Sequence, residues 1–221
     1  MTARYAIYYT PAEDDPLTRL AEGWLGRSAF TNESVPVCHD RADVLVAAPR
    51  HYGFHATLKA PFELLPGKDE ESLIEAVSRF CDGQYAFTAH LTPNNLGPFL
   101  ALTLTSPSDD MERLHTRCVR DFDGFRAPMA EYDLVRRRKA GLTPHQDARL
   151  QQWGYPYIFD EFRFHMTLTS AIPDEEKRNT VMAQLRSIFE PREQLIDGVA
   201  IYFQQDRTRD FTVLKRIQFA G

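Results

Sequence analysis

Cysteine is scarce in these 221 residues: Cys38, Cys81 and Cys118 stand far apart and are odd in number. Such a set excludes a disulfide framework and any cysteine-based zinc pattern. It predicts a reduced, cytoplasmic chain whose thiols behave as small buried apolar groups. Long apolar runs are also lacking, and nothing approaches the ~18 residues that span a bilayer. The opening residues, MTARYAIYYTP, have no basic region followed by an apolar stretch, so neither a secretory signal nor a membrane partner is expected. Positive charge is in deficit, 26 Lys and Arg against 31 Asp and Glu, for a net charge of −5. Proteins dedicated to duplex nucleic acid are usually basic, so nucleic acid is disfavoured as a partner. No carboxylate or cysteine cluster has metal-ligand spacing, and neither metal nor cofactor is expected.

What remains is a globular composition, 43% hydrophobic and 26% charged, at a length that buries a sizeable core. No linker or low-complexity stretch divides it. Residues 4–10 read as an aromatic-rich strand. Asp15 followed by Pro16 reads as a helix N-cap, with the helix running to about Gly26. Residues 28–50 read as loop and 52–59 as a strand. Asp69–Cys81 reads as a helix with Leu73, Val77 and Phe80 on one face. Strands at 85–92 and 99–105 flank a Pro-Asn-Asn-Leu-Gly-Pro turn. A helical stretch follows, with helices at 109–122, 128–139 and from the Thr143 cap to Gly154. Strand 161–171, helix 173–189 and strands 198–205 and 211–219 complete the reading.

That order repeats. FHATLKAPF, a helix and two strands recur as FHMTLTSAI, a helix and two strands, with His55 and His165 at matching places 110 positions apart. The expectation is a duplicated, two-lobed α+β fold spanning 1–221, with repeat units at about 52–105 and 161–219 and a helical connection at about 109–154. Two antiparallel sheets would be related by a pseudo-two-fold, with helices on the outer faces and a cleft between the lobes.

The repeated core is Phe-His-x-Thr-Leu, residues 54–58 and 164–168. Side chains alternate along a strand. His55, Thr57 and Lys59 therefore share one face, as do Arg163, His165, Thr167 and Thr169. Phe54, Ala56 and Leu58, and their counterparts, would bury against helices. If the strands meet across the pseudo-two-fold, two His-Thr pairs converge on one cleft. One imidazole can take a proton from an attacking water while the other protonates a leaving oxygen, both near neutral pH. The threonine hydroxyls can hydrogen-bond non-bridging phosphoryl oxygens.

These paired motifs, in two similar halves, resemble the two-histidine (2H) phosphoesterase superfamily. The stretches RHYGFHATLKAPF (50–62) and LTPHQDARLQQWGYPYIFDEFRFHMTLT (142–169) are similar to a bacterial subgroup of uncharacterised proteins, often encoded beside phosphonate-degradation genes. The resemblance covers nearly the whole chain. It implies catalytic positions at His55, Thr57, His165 and Thr167, a small phosphorylated substrate, and hydrolysis of a cyclic phosphodiester such as a cyclic ribose phosphate. Two rivals stand beside this reading: RNA 2′,3′-cyclic end processing, and a non-catalytic module that binds a phosphorylated metabolite.

Other residues carry two readings each. Lys59 is read as a phosphate contact, with Arg163 and Thr169 as further substrate-binding candidates; an ion pair to Asp160 or Glu161 would equally explain Arg163. The basic run at 136–139 is either a solvated helix end or a phosphate-binding rim. Tyr5, Tyr8 and Tyr9 are core or stacking residues. His51 lies four residues before His55, a metal-binding spacing only on a helix, whereas Gly53 and the alternating pattern indicate a strand. His39, His90, His115 and His145 have no repeat partner and are assigned nothing.

Overall fold

Local signals start and stop most elements where they fall. A computed structural model describes residues 2–37 and 39–221, so Cys38 lies outside the described residues. The chain runs β1 (Arg4–Tyr9), α1 (Pro16–Leu25), α2 (Ala47–Tyr52), β2 (Ala56–Phe62), α3 (Glu70–Asp82), β3 (Phe87–Leu96), β4 (Phe99–Leu104), α4 (Asp109–Asp121), α5 (Glu131–Arg138), α6 (Pro144–Trp153), β5 (His165–Thr167), α7 (Glu175–Ile188), β6 (Arg192–Ile196), β7 (Gly198–Gln204) and β8 (Thr212–Gln218). The Asp15 carboxylate accepts from the Leu17 N–H at the start of α1. Asp69 and Ser72 form a reciprocal capping box on α3, and Thr143 and Gln146 form one on α6.

All eight strands join one antiparallel sheet in the order β6-β3-β4-β5-β2-β1-β7-β8. The expected duplicated α+β architecture is borne out. The two expected sheets form the halves of this one sheet, joined at the centre where β2 and β5 pair at Ala56↔Met166. Each four-stranded half mixes strands from both repeat units. β3 and β4 of the first unit sit beside β5 and β6 of the second, and β7 and β8 sit beside β1 and β2.

Ile7, Tyr9, Leu58, Leu100, Leu102, Met166, Val199 and Ile201 bury one face of the sheet in the main core, with Leu73, Val77, Met111, Leu114, Val181 and Leu185 from the helices. The other face carries a smaller cluster of Ala6, Tyr8, Ala29, Ala200, Tyr202 and Phe211. β1 and β7 are thus buried on both faces, which explains why every residue of β1 is buried. Cys81 and Cys118 are free and buried, as expected. Among the described residues no helix is long and apolar enough to cross a membrane.

Several boundaries differ from the sequence reading. Residues 47–52 are helical, and β2 begins only at Ala56. The strand expected over 161–171 shrinks to His165–Thr167, preceded by a 3-10 turn at Phe159–Glu161. β6, which had not been expected, pairs with β3 from Phe87↔Ile196 to Leu91↔Arg192. Its five residues follow α7 so closely that a helix-period pattern obscures them.

Candidate active site at the junction of the two halves

The register of one pair sets the site. In an antiparallel ladder, Ala56 opposite Met166 places Thr57 opposite His165 and His55 opposite Thr167. Opposed side chains share a face, with Cβ atoms about 4.5–5.5 Å apart, and diagonal neighbours remain within reach of long side chains. The two His-Thr pairs therefore interlock as one quartet, with the imidazoles on a diagonal. His55, Thr57, His165 and Thr167 line a common cleft of about 440 Å³, together with Tyr8, Tyr52, Arg4, Arg136, Arg137 and Tyr155.

Both imidazoles are held the same way. His55 Nδ1 donates to the Gly53 carbonyl at 2.9 Å, and His165 Nδ1 donates to the Arg163 carbonyl at 2.7 Å. A carbonyl only accepts, so each Nδ1 carries the proton and each Nε2 keeps a lone pair. The Thr57 hydroxyl donates to His55 Nε2 at 3.4 Å. Gly53 has φ +77°, and a Cβ there would lie 2.6 Å from the Ala29 Cβ. Only glycine closes α2 and still presents its carbonyl to His55.

The surroundings of the two rings differ. The Tyr8 ring stacks on His55 at 3.8 Å, and Tyr202 and Tyr52 lie within ring-contact range. Burial, partly opposed by the Gly53 hydrogen bond and reinforced by the nearby His165, pushes the His55 pKa down to about 4. Burial also lowers that of His165. Beside His165 opens a second recess of about 470 Å³, lined by Tyr155, Tyr157, Ile158, Phe162 and Arg163 among others.

Lys59 and Thr169 are not in the site. The β1/β2 register slips between Ile7↔Lys59 and Tyr8↔Thr57, a bulge that breaks the alternation. Lys59 turns to α4, where its Nζ donates to the Val119 carbonyl at 2.9 Å and pairs with Asp123 at 3.0 Å. β5 ends at Thr167, so Thr169 is fully buried and its hydroxyl accepts from the Leu100 N–H at 3.0 Å. Arg163 is exposed at the edge of the second recess. Asp160 and Glu161 pair with Arg149 rather than with Arg163. His51 is helical, and its Nδ1 donates to Asp210 at 2.8 Å. Among the described residues no group of three or more His, Cys, Asp or Glu is placed to hold a metal ion.

Arg4, Tyr52 and Tyr155 carry no sequence signal for the cleft. They come from a strand start, a helix end and the loop after α6, and only the fold unites them. The basic run was readable in two ways, and the structure divides it. Arg138 pairs with Asp147 on the surface at 2.6 Å, while Arg136 and Arg137 line the cleft.

Comparison with known proteins adds three findings. Residues 57–212 match the family described as Protein of unknown function (DUF1045). Two curated relatives are both named ribose 1,5-bisphosphate phosphokinase PhnN. The one from Janthinobacterium sp. (strain Marseille) is 44% identical over 176 residues, 76% of this chain and 39% of that protein. The one from Laribacter hongkongensis (strain HLHK9) is 32% identical over 219 residues, 97% of this chain and 51% of that protein. The chain thus spans about half, or less, of the length of these relatives. Among solved structures, Escherichia coli LigT in apo form is similar in fold, with a TM-score of 0.50 and 14% identity, over 100% of this chain and 99% of that one.

Proposed function

Since this chain belongs to the DUF1045 family, and has the fold expected of a two-histidine phosphoesterase, we propose that it is a metal-independent phosphoesterase that opens a small cyclic phosphodiester. The observation that carries this reading is the β2/β5 register, which interlocks two His-Thr pairs around one cleft. The Nε2 lone pair of one histidine takes a proton from water as its oxygen bonds to phosphorus. The P–O bond to the ring oxygen breaks on the opposite side, and the second histidine, as imidazolium, protonates that oxygen. Thr57 and Thr167 hydrogen-bond the non-bridging oxygens as negative charge builds there. The product is a phosphomonoester with a freed hydroxyl.

The unlike surroundings divide the roles. His55, whose pKa is held down to about 4, is neutral at working pH and acts as base. His165, away from the Tyr8 stack, acts as acid once the bound phosphoryl anion favours its protonation.

The names of the curated relatives direct attention to ribose phosphates, and so to phosphonate breakdown as the setting. The kinase activity in those names belongs to longer proteins. This chain holds no Gly-x-x-x-x-Gly-Lys-Ser/Thr loop of the kind that cradles nucleotide phosphates. A second reading, a nucleoside or RNA-end 2′,3′-cyclic phosphate, is favoured by the recess of Tyr155, Tyr157 and Phe162 beside His165, where a base could stack.

Phosphorus NMR of the protein with ribose 1,2-cyclic phosphate and with nucleoside 2′,3′-cyclic phosphates tests this. The expected result is a phosphomonoester signal that His55→Ala and His165→Ala abolish. Folded protein that binds these compounds but converts none of them would turn the cleft into a binding module and overturn the reading.

A further inference from the structure

The arginines that border the cleft have an uneven supply of counter-charge. A side pocket adjoins the cleft and shares Arg4, Pro61, Arg136 and Arg137 with it. Four more charged residues line it, Glu63, Arg126, Asp133 and Arg207, and Arg207 pairs with Asp133 and with Glu63. Arg136 also pairs with Asp133, at 3.0 Å. Arg126, on the rim, is held by Asp123 at 2.9 Å.

Arg4 and Arg137 differ from these. Arg4 Nε donates to the neutral Gln204 amide oxygen at 2.8 Å. Arg137 lies over the Tyr155 ring at 5.1 Å, and its Nε is buried with no hydrogen-bond partner. Among the described residues neither has a carboxylate within ion-pair distance. These two unmatched guanidiniums both reach the cleft and the side pocket. Burial lowers the pKa of each, and neighbouring arginines add to the effect. Asp133 lies near enough to offset part of this for Arg137, but its direct partners are Arg136 and Arg207, and arginines held together without an ion pair of their own repel one another and lose hydration. A polyanion arriving with the substrate would relieve both costs, and the planar fork of arginine matches phosphate oxygens two at a time.

That anion is distinct from the reacting one. The His-Thr quartet is centred on the Ala56↔Met166 pair, and none of the four lines the side pocket. From Thr57 to Pro61 the strand covers at most about 13 Å, and the arginine side chains reach back over part of it. Resting on the phosphoesterase reading above, we propose that the substrate is a cyclic phosphodiester carrying a second phosphate monoester, which Arg137 and Arg4 bind across the cleft from the reacting phosphorus.

The test compares two pairs of compounds: ribose 1,2-cyclic phosphate with and without a 5-phosphate, and a nucleoside 2′,3′-cyclic phosphate with and without a 5′-phosphate. Wild type, Arg137→Gln and Arg4→Gln are measured for kcat/KM and, by calorimetry, for Kd. In wild type the added phosphate raises kcat/KM at least about tenfold, the worth of one charge-assisted hydrogen bond. The ratio collapses towards one in Arg137→Gln and falls in Arg4→Gln. The pair with the larger ratio tells a free sugar from a nucleotide. A wild-type ratio near one, or an equal loss on both members of a pair in Arg137→Gln, overturns the proposal and leaves the phosphoesterase reading intact. If no compound turns over, the phosphoesterase reading fails, and the Kd ratios decide the second-phosphate site alone. Arg4→Gln serves where Arg137→Gln does not fold.

Discussion

His55 and His165 sit in the same five-residue pattern, tie the same nitrogen to the carbonyl two residues back, and face the same cleft. Their settings are nevertheless unlike. His55 enters β2 against the half of the sheet whose cleft-side face is packed with aromatics, and Tyr8 stacks on it at 3.8 Å. His165 lies on three-residue β5, opposite Thr103 on β4, and among the described residues no aromatic ring stacks on it. A duplicated motif thus reproduces orientation and tautomer, which are local. Proton affinity depends on what the other strands bury around each ring.

The largest expected effect comes from removing one histidine at a time. His55→Ala and His165→Ala each lower kcat by roughly 10²–10⁴-fold, and the double variant loses less than the product of the two. A p-nitrophenyl phosphodiester sharpens the comparison, because its leaving group needs no proton. On it the His165→Ala loss shrinks to within about tenfold, while the His55→Ala loss persists. The reverse outcome would exchange the roles.

Acid stability comes next. The ordinary histidine pKa is 6.5, and that of folded His55 is about 4. Between these values the unfolded chain binds a proton that the folded chain refuses. Stability is therefore complete above pH 6.5 and is lost as pH falls towards 4, by at most about 3 kcal/mol for this group. His115, stacked on Phe162 and also lowered to about 4, adds a similar dependence. Urea unfolding from pH 7 to 4 should show the decline, and His55→Gln should remove the His55 part of it and leave that of His115. A His55→Gln protein as acid-sensitive as wild type would mean that burial does not hold His55 below its ordinary pKa.

Thr57→Val and Thr167→Val should each cost about 1–3 kcal/mol in kcat/KM, for one lost hydrogen bond to charge developing on the non-bridging oxygens. Equal losses would indicate that the threonines, unlike the histidines, are equivalent. Chelation has the smallest expected effect. Activity after EDTA should match that before it; loss restored by a divalent ion would place a metal between the histidines and dissolve the acid–base comparison.

Much of this was legible in the residues. The caps at Asp15, Asp69 and Thr143 mark helix starts, and the apolar stripes of α3 and α4 bury as their spacing indicates. Lys59 was misplaced because strand alternation holds only while the ladder is regular, and a bulge intervenes after Thr57. Thr169 was misplaced because its strand ends two residues earlier. Residues 47–50 read as loop and Tyr52 as the start of a strand, because Gly53 and the alternation beyond it look extended, yet Ala47–Tyr52 closes as α2.

What the sequence determined by itself is local: where turns and caps fall, that each histidine shares a face with its threonine, and that this happens twice. Such features follow from backbone geometry over a few residues. The tertiary structure alone decided that β2 and β5 pair at Ala56↔Met166, that the strand pairs are exchanged between the halves, and that Tyr8 lies under His55. It alone brought Arg4 and Arg137 to one cleft. The reason is physical: register and burial are settled by the packing of residues from tens to more than a hundred positions apart, and no local rule of propensity or periodicity acts over that distance.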